Sequence, residues 1–269
     1  MKTNYVVACW SGMRRVNPKR YMEDRTVFLR RHLESLQTLK HSLAQVTVVV
    51  AQDPEEPASY RSFLADLPKT VGGAPVVLVR RPNVGYSYGG YSDVYGRYRL
   101  AFDRYLLMED DYVFLLDHFD RELGMMLEAD RSLPTSGFLT FELRGGTREW
   151  LLGRARRETP RGDKVSREVG RFAPDTFRFP QVAVGLMKAA ALESVWTEFG
   201  RLPYSDGIHH AECKFEGQFS LSVAVQKGGW GITDVLPRYR VVAFGPQGET
   251  LHYGPPEKPL FLAAVQTLL

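Results

Sequence analysis

Four short apolar runs in the first 110 residues constrain the fold most. Residues 5–10, 46–51 and 75–79, and the run from Tyr105 to Met108, are too short for stable helices and are built largely from aliphatic and aromatic side chains. Helical patterns lie between them. Leu29, Leu33, Leu36 and Leu43 recur at helical spacing within residues 21–43, residues 59–67 make a shorter helix, and Tyr91, Val94, Tyr95, Tyr98 and Phe102 share one face of a helix over 89–102. Continuous apolar strands alternating with amphipathic helices specify an α/β fold, a mixed, mostly parallel sheet flanked by helices. Right-handed crossovers bring the carboxyl ends of such strands to one edge, where ligands bind. Asp53, residues 83–90 and residues 109–111 are therefore expected to converge.

The last of these strands ends in three acids, Glu109, Asp110 and Asp111, before apolar residues resume at Val113 and Phe114. Three adjacent carboxylates repel one another unless a positive charge lies among them. A divalent cation suits them, since Mg²⁺ and Mn²⁺ take carboxylate oxygens together with the phosphates of a substrate. A solvated acidic turn is the plainer reading. The segment 80–91 adds Gly85, Gly89 and Gly90 between a strand and a helix, so the backbone can approach a phosphate beside the free N–H groups of a helix start.

Charge suggests the same class of ligand. Lys+Arg 35 against Asp+Glu 31 gives +4, an excess that suits a phosphate-bearing ligand and is too small to indicate nucleic acid. Between Arg144 and Arg171, nine basic residues face four acidic ones, and Gly145, Gly146, Gly153, Gly162 and Gly170 are interspersed. This segment is expected to be a flexible arginine-rich loop, either simply solvated or able to close over a diphosphate or an anionic acceptor. Cys9 and Cys213 are too few for a disulfide framework and suggest reduced thiols in a cytoplasmic protein. Residues 5–10 are too short for a secretory core, and no run approaches the roughly 20 apolar residues of a membrane span. The apolar residues 259–269 are expected to form a terminal helix, with weak peripheral membrane contact as the alternative.

The first half, with its second strand ending near Asp53, then Asn83, Gly85, Ser87 and Gly89 in an N-x-G-x-S-x-G pattern, a helix, and a strand running into Glu109-Asp110-Asp111, resembles the nucleotide-binding half of GT-A-fold glycosyltransferases, nearest the inverting family-2 type. Glu109 replaces the first Asp of that family's D-x-D, and Asp111 keeps the last. The resemblance spans residues 4–254. It implies a single Rossmann-like domain with a donor-binding half over residues 1–115 and an acceptor-binding, catalytic half over 116–269. It further implies that Ala8, Trp10, Asp53, Asn83, Gly85, Tyr86, Gly89 and Asp110 bind a nucleotide-diphosphate sugar, and that Glu109, Asp111 and His252 hold Mn²⁺ or Mg²⁺.

In the second half, the family places a catalytic Glu-Asp at a helix start about twelve residues before a glycine, and Glu216 stands at that distance from Gly228. Gly217 replaces the Asp, so Glu212 and Asp206 remain candidates. The implied reaction is metal-dependent transfer of a sugar to a hydroxyl of a glycan, lipid-linked or small-molecule acceptor, inverting by single displacement, with the carboxylate as base. Glu216 could instead be a carboxylate favoured by the helix dipole, and Asp53 a turn residue before Pro54. Two other classes stay open. Residues 10–19 resemble the triphosphate loop of sugar nucleotidyltransferases, which share the fold, although only Gly12 is present; a non-catalytic nucleotide- or carbohydrate-binding protein is the third reading. The crowded His209, His210, Glu212 and Cys213 lack a recognised zinc spacing.

Overall fold

A computed structural model describes residues 1–12, 26–110, 112–114, 116–129, 136–140, 143–171, 173–180, 185–234, 241–244 and 250–253. The sheet begins with β1 (Thr3–Trp10), whose side chains alternate between two buried faces because the strand period is two. Tyr5, Val7 and Cys9 enter one core, and Val6 and Ala8 enter the other. Neither face meets water, which explains the uninterrupted apolar run.

Helix α1 (Thr26–Thr38) leads to β2 (Gln45–Gln52), and α2 (Ala58–Ala65) leads through β3 (Thr70–Val71) to β4 (Ala74–Pro82). Helix α3 (Tyr86–Arg97) then leads to β5 (Arg104–Glu109). Strand β1 lies parallel between β2 and β5, and β4 runs parallel on the far side of β2. The expected helix over 89–102 starts three residues earlier and ends five earlier. Gly85, in the left-handed region at φ 71°, supplies its N-cap, and Leu100 at φ 60° turns the chain after its end.

One core contains Leu29, Leu33 and Leu36 from α1, Tyr60 and Leu64 from α2, and Phe119, Leu123 and Leu127 from α4 (Phe119–Ala129). The other contains Tyr91, Val94 and Tyr95 from α3. Leu36 is fully buried, so Leu36→Ala should cost about 2–5 kcal/mol. Beyond α4 the sheet grows by β7 (Ser136–Thr140), β10 (Gly185–Lys188) and β11 (Gly231–Asp234). The order is β11-β7-β10-β5-β1-β2-β4-β3; β10 runs antiparallel to both neighbours, and β3 runs antiparallel to β4. The result is a single mixed α/β domain with a mostly parallel sheet flanked by helices, as the alternation of runs implies.

The basic segment differs from expectation. It is an ordered subassembly, and not a loop: strand β8 (Leu143–Thr147), helix α5 (Arg148–Glu158) and helix α6 (Gly162–Gly170), with β8 paired to β9 (Thr176–Pro180). Leu151, Ala155, Val165 and Val169 close a third core against Phe177, Phe179, Phe215, Phe219 and Val223. Burial of those apolar positions outweighs the conformational freedom of the interspersed glycines. Helix α7 (Ala189–Phe199) follows β10, and α8 (His210–Cys213) runs through a π-helical segment, Lys214–Phe219, into α9 (Ser220–Lys227). Strands β6 (Tyr112–Val113), β12 (Val241–Phe244) and β13 (Thr250–Tyr253) form a small antiparallel sheet. Residues 259–269, expected as a terminal helix, lie outside the described residues. Among the described residues, no helix is long and apolar enough to cross a membrane.

Candidate active site at the carboxyl edge of the sheet

Strand register assembles the first wall. Ala8 lies opposite Val49 on one side and Glu109 on the other, and Gln52 lies opposite Pro82, so four strands end together. Beyond β1, Ser11 N–H donates to Ala51 O at 3.1 Å and Asp53 N–H donates to Ser11 Oγ at 2.9 Å, which ties the two strand exits. Trp10 Nε1 donates to Asp53 Oδ2 at 3.2 Å, and Glu55 N–H donates to Asp53 Oδ1 at 2.9 Å. Asp53 is thus the turn residue its position before Pro54 suggests, and also the orienting partner of the Trp10 indole. Residues 13–25, including most of the segment that resembles a triphosphate loop, lie outside the described residues.

The glycine turn is held from beneath and from the side. Arg81, 6% exposed, donates from Nε to Asp93 at 2.6 Å and from Nη1 to Val84 O at 2.8 Å. A Cβ at Gly89 would collide with the Val84 carbonyl and with this guanidinium. Gly85 N–H donates to Gly207 O at 2.9 Å, and a Cβ at Gly85 would lie 2.7 Å from Ser205 O. Tyr86 follows at φ 51°, an uncommon conformation for a residue with a side chain. Asn83 is half-buried at this edge.

Ser87, on the first turn of α3, donates to Glu109 Oε1 at 2.7 Å, joining the glycine turn to the acidic strand end. Asp110 is buried, and its N–H donates to Ala8 O at 3.1 Å. Burial raises the Tyr88 hydroxyl well above its ordinary value, and the charge of Glu109 raises it further. Asp111 lies outside the described residues. His252 lies on β13 opposite Val242, which is itself opposite Val113 on β6, so its backbone is two strands from the chain that follows Asp111.

The second wall comes from the far half of the chain. Glu212, 4% exposed, accepts from Arg161 Nε at 2.9 Å, from Nη2 at 2.7 Å and from its backbone N–H at 3.2 Å. Glu216 accepts from the same Nη2 at 3.1 Å, and Ser205 Oγ lies 3.3 Å from it. Arg161 holds the Glu212 carboxyl below the ordinary carboxylate range. Burial pushes the Glu216 carboxyl above that range, and the charge of Arg161 offsets part of this rise. Asp206 is exposed and pairs with Arg201 at 3.1 Å, apart from these two.

The two walls touch. A Cβ at Gly217 would lie 2.6 Å from the Tyr88 ring, so glycine after Glu216 lets the π-helical segment pack on the residue beside Ser87. Tyr86 meets His210 edge to face at 6.1 Å. A π-helical turn widens a helix and re-aims its side chains, and such turns occur often at functional sites. Thus Glu212, Glu216, Gly85, Tyr86, Gly89 and Glu109 share one region. Sequence reasoning did not single out Arg161, Ser205 or Arg81, which hold it together. Their partners are remote in the chain or, for Arg81, ambiguous in a turn, and no local pattern marks them.

As to metal, among the described residues no group of three or more His, Cys, Asp or Glu side chains could hold an ion. Mg²⁺ or Mn²⁺ needs only one or two protein carboxylates when phosphates complete the shell, a donor chemistry that the Glu109 carboxylate has.

No protein-family model and no curated protein sequence matches the chain. Among solved structures, a cytidylyltransferase from Leptospira borgpetersenii serovar Hardjo-bovis is similar at 15% identity and a TM-score of 0.46, covering 87% of this chain and 76% of that one. A CMP:2-keto-3-deoxy-manno-octonic acid synthetase complexed with CTP is similar at 14% identity and a TM-score of 0.43, covering 87% of this chain and 89% of that one. The glycosyltransferase expectation is corrected here: neither of these neighbours is a glycosyltransferase by name, and one is a cytidylyltransferase, the class that the sequence left open as an alternative. The physical reason for the misreading is that parallel strand ends with a glycine turn and an acidic tip specify a nucleotide-binding edge, which different reactions share.

Proposed function

We propose that the chain is a sugar nucleotidyltransferase. It binds a nucleoside triphosphate at the carboxyl edge of the sheet and joins the nucleotidyl group to a sugar, releasing pyrophosphate. The observation that carries this reading is the hydrogen bond from Ser87 to Glu109, because it ties the glycine-capped start of α3, a place where backbone N–H groups can meet phosphate, to the acidic strand end. Residues 1–115 form the nucleotide-binding half and residues 116–269 the acceptor half.

In this reading Trp10 and Asp53 flank the base and ribose, with the Ala8 backbone beside them. Asn83, Gly85, Tyr86 and Gly89 shape the phosphate turn. Glu109 and Asp111, with His252, would hold a divalent cation, which would supply charge neutralisation to the phosphates, and Asp110 would lie beside the nucleotide. An acceptor oxygen attacks the α-phosphorus; the new P–O bond forms as the bond from that phosphorus to the bridging oxygen breaks, and pyrophosphate leaves. Where the acceptor oxygen is a hydroxyl, Glu216 stands to take its proton, because burial raises its carboxyl above the ordinary range and so makes its carboxylate a stronger base. Glu212, committed to Arg161 by three bonds, positions that wall, and Asp206 keeps the exposed pair with Arg201.

Incubation with each of the four common triphosphates, a panel of sugar phosphates and sugar acids, and Mg²⁺ or Mn²⁺ tests this. Pyrophosphate release that needs one triphosphate together with one acceptor is the expected result. Triphosphate that binds without any turnover across the panel would favour a non-catalytic nucleotide-binding protein.

A further inference from the structure

The positive charge of the chain is gathered in one place. Nine of its 35 basic residues and four of its 31 acidic ones lie between Arg144 and Arg171, so the rest of the chain, with 26 and 27, is close to neutral. That segment contains α5 and α6, and both turn one side into the third core: Leu151 and Ala155 on the first, Val165 and Val169 on the second, are buried together. Their opposite sides therefore face solvent next to one another.

Those outward sides are basic. On α6, Lys164, Arg167 and Arg171 recur at helical spacing opposite Val165 and Val169, and all three are exposed. On α5, Arg157 is exposed away from Leu151 and Ala155, and a Cβ at Gly153 would lie 3.3 Å from its Nη1, so this side chain runs back along the outward side of the helix. Arg148 Nη2 donates to Gly170 O at 2.8 Å, which ties the start of α5 to the end of α6 and makes the two helices one surface.

Carboxylates answer only part of this charge. Glu158 pairs with Arg154, Asp163 with Arg156 and Glu168 with Lys164, while Arg161 is turned inward to Glu212 and Glu216. Among the described residues Arg157, Arg167 and Arg171 make no ion pair, and Glu149 is the one acid of the segment equally free.

We propose that the outward face of α5 and α6 attaches the protein to an anionic lipid surface. Eight of the nine basic residues are arginines, whose planar fork suits phosphate oxygens. Two helices side by side present a broad face, which fits a plane better than a groove, and clusters of about four to eight basic residues on amphipathic helices hold anionic headgroups. Trp150, the aromatic residue of these helices, is half-buried and stacked on Phe179 at 5.5 Å, so the face lacks the exposed stacking platforms that single-stranded nucleic acid uses. The attachment is electrostatic: among the described residues the exposed large apolar side chains are Met1, Leu100 and Ile208, none of them on α5 or α6, so nothing here inserts among acyl chains and salt weakens the contact. This surface is independent of the nucleotidyltransferase reading.

Co-sedimentation of the full chain with vesicles tests it, using phosphatidylglycerol and phosphatidylcholine in equal parts, or phosphatidylcholine alone, at about 0.05 M and about 0.5 M salt. The native chain is compared with an Arg157→Gln, Arg167→Gln, Arg171→Gln variant and with an Arg61→Gln, Lys69→Gln, Arg97→Gln variant of the same net charge. All six side chains are exposed and outside the candidate site, and far-ultraviolet dichroism checks that both variants fold. The expected result is binding to the anionic vesicles alone, lost at the higher salt, weakened roughly a hundredfold in the first variant and little changed in the second, since each basic residue near an anionic surface is worth about a factor of five. Equal binding to neutral vesicles, no binding to anionic vesicles at the lower salt, or equal loss in the two variants overturns the proposal. Single-stranded and duplex oligonucleotides are titrated under the same conditions. Tighter binding to either than to the anionic vesicles also overturns it and assigns the face to nucleic acid.

Discussion

The two walls of the candidate site are built by different physics. The wall at the ends of β1, β2, β4 and β5 is made of backbone: strand register, a left-handed glycine at Gly85, and N–H groups donated between neighbouring turns. The facing wall is made of charge: one arginine, two sheltered carboxylates and a serine, drawn from the turn before α6, α8, the π-helical segment and the loop between α7 and α8. A backbone wall tolerates most side-chain changes and fails where a Cβ intrudes. A charge wall tolerates small changes of volume and fails when one partner is removed.

The largest effect should therefore come from Gly89→Ala, because the added carbon collides with the fixed Val84 carbonyl and with the buried Arg81 guanidinium. Overpacking costs about 1–3 kcal/mol or more, and denaturant unfolding should place Gly89→Ala at or beyond the upper end, with nucleotide affinity lost as the turn shifts. Next comes Glu212→Ala. Removing one partner of a fully buried ion pair costs about 3–5 kcal/mol, and the partial exposure of Arg161 lowers that to about 2 kcal/mol here, read as a shift of the denaturant midpoint. Ser87→Ala should cost only about 1 kcal/mol of stability. On the proposed reading its signature is a higher divalent-cation concentration for half-maximal activity and a higher triphosphate KM, because Glu109 loses its orienting donor. Asp206→Asn, on an exposed pair, should leave stability within about 0.5 kcal/mol.

The pH dependence sharpens the same contrast within the charge wall. Glu212 has a lowered folded value, so its stabilisation is present above the ordinary carboxylate range and is lost as pH falls through the lowered value. Glu216 has a raised folded value, so its contribution is present below the ordinary range and is lost as pH rises through the raised one. Thermal unfolding across pH should show Glu216→Gln gaining stability relative to the native chain as pH rises above the carboxylate range, and Glu212→Gln losing it. Parallel curves for the two variants would contradict the assignment.

How much of this was legible in the sequence follows the same division. The backbone wall is readable because apolar runs fix strands, strands fix register, and register places Ala8 beside Glu109. The ends of α3 and the ordering of residues 144–171 are less so. The start of α3 depends on the conformation of Gly85, and the helices of the basic segment depend on Leu151 and Val165 finding Phe215 and Phe219, far along the chain. The charge wall was half visible: Glu212 and Glu216 stand out by spacing, yet their partner lies 51 residues before the first of them. Reaction type was not legible at all, since the edge that holds a nucleotide is common to several chemistries.

The most direct measurement of the central claim follows the α-phosphorus. With a triphosphate labelled at that atom and an acidic sugar as partner, the account predicts that label passes into a sugar-bound nucleotide while unlabelled pyrophosphate is released. Label that remains in the triphosphate, or appears only as free nucleoside mono- or diphosphate, would contradict it.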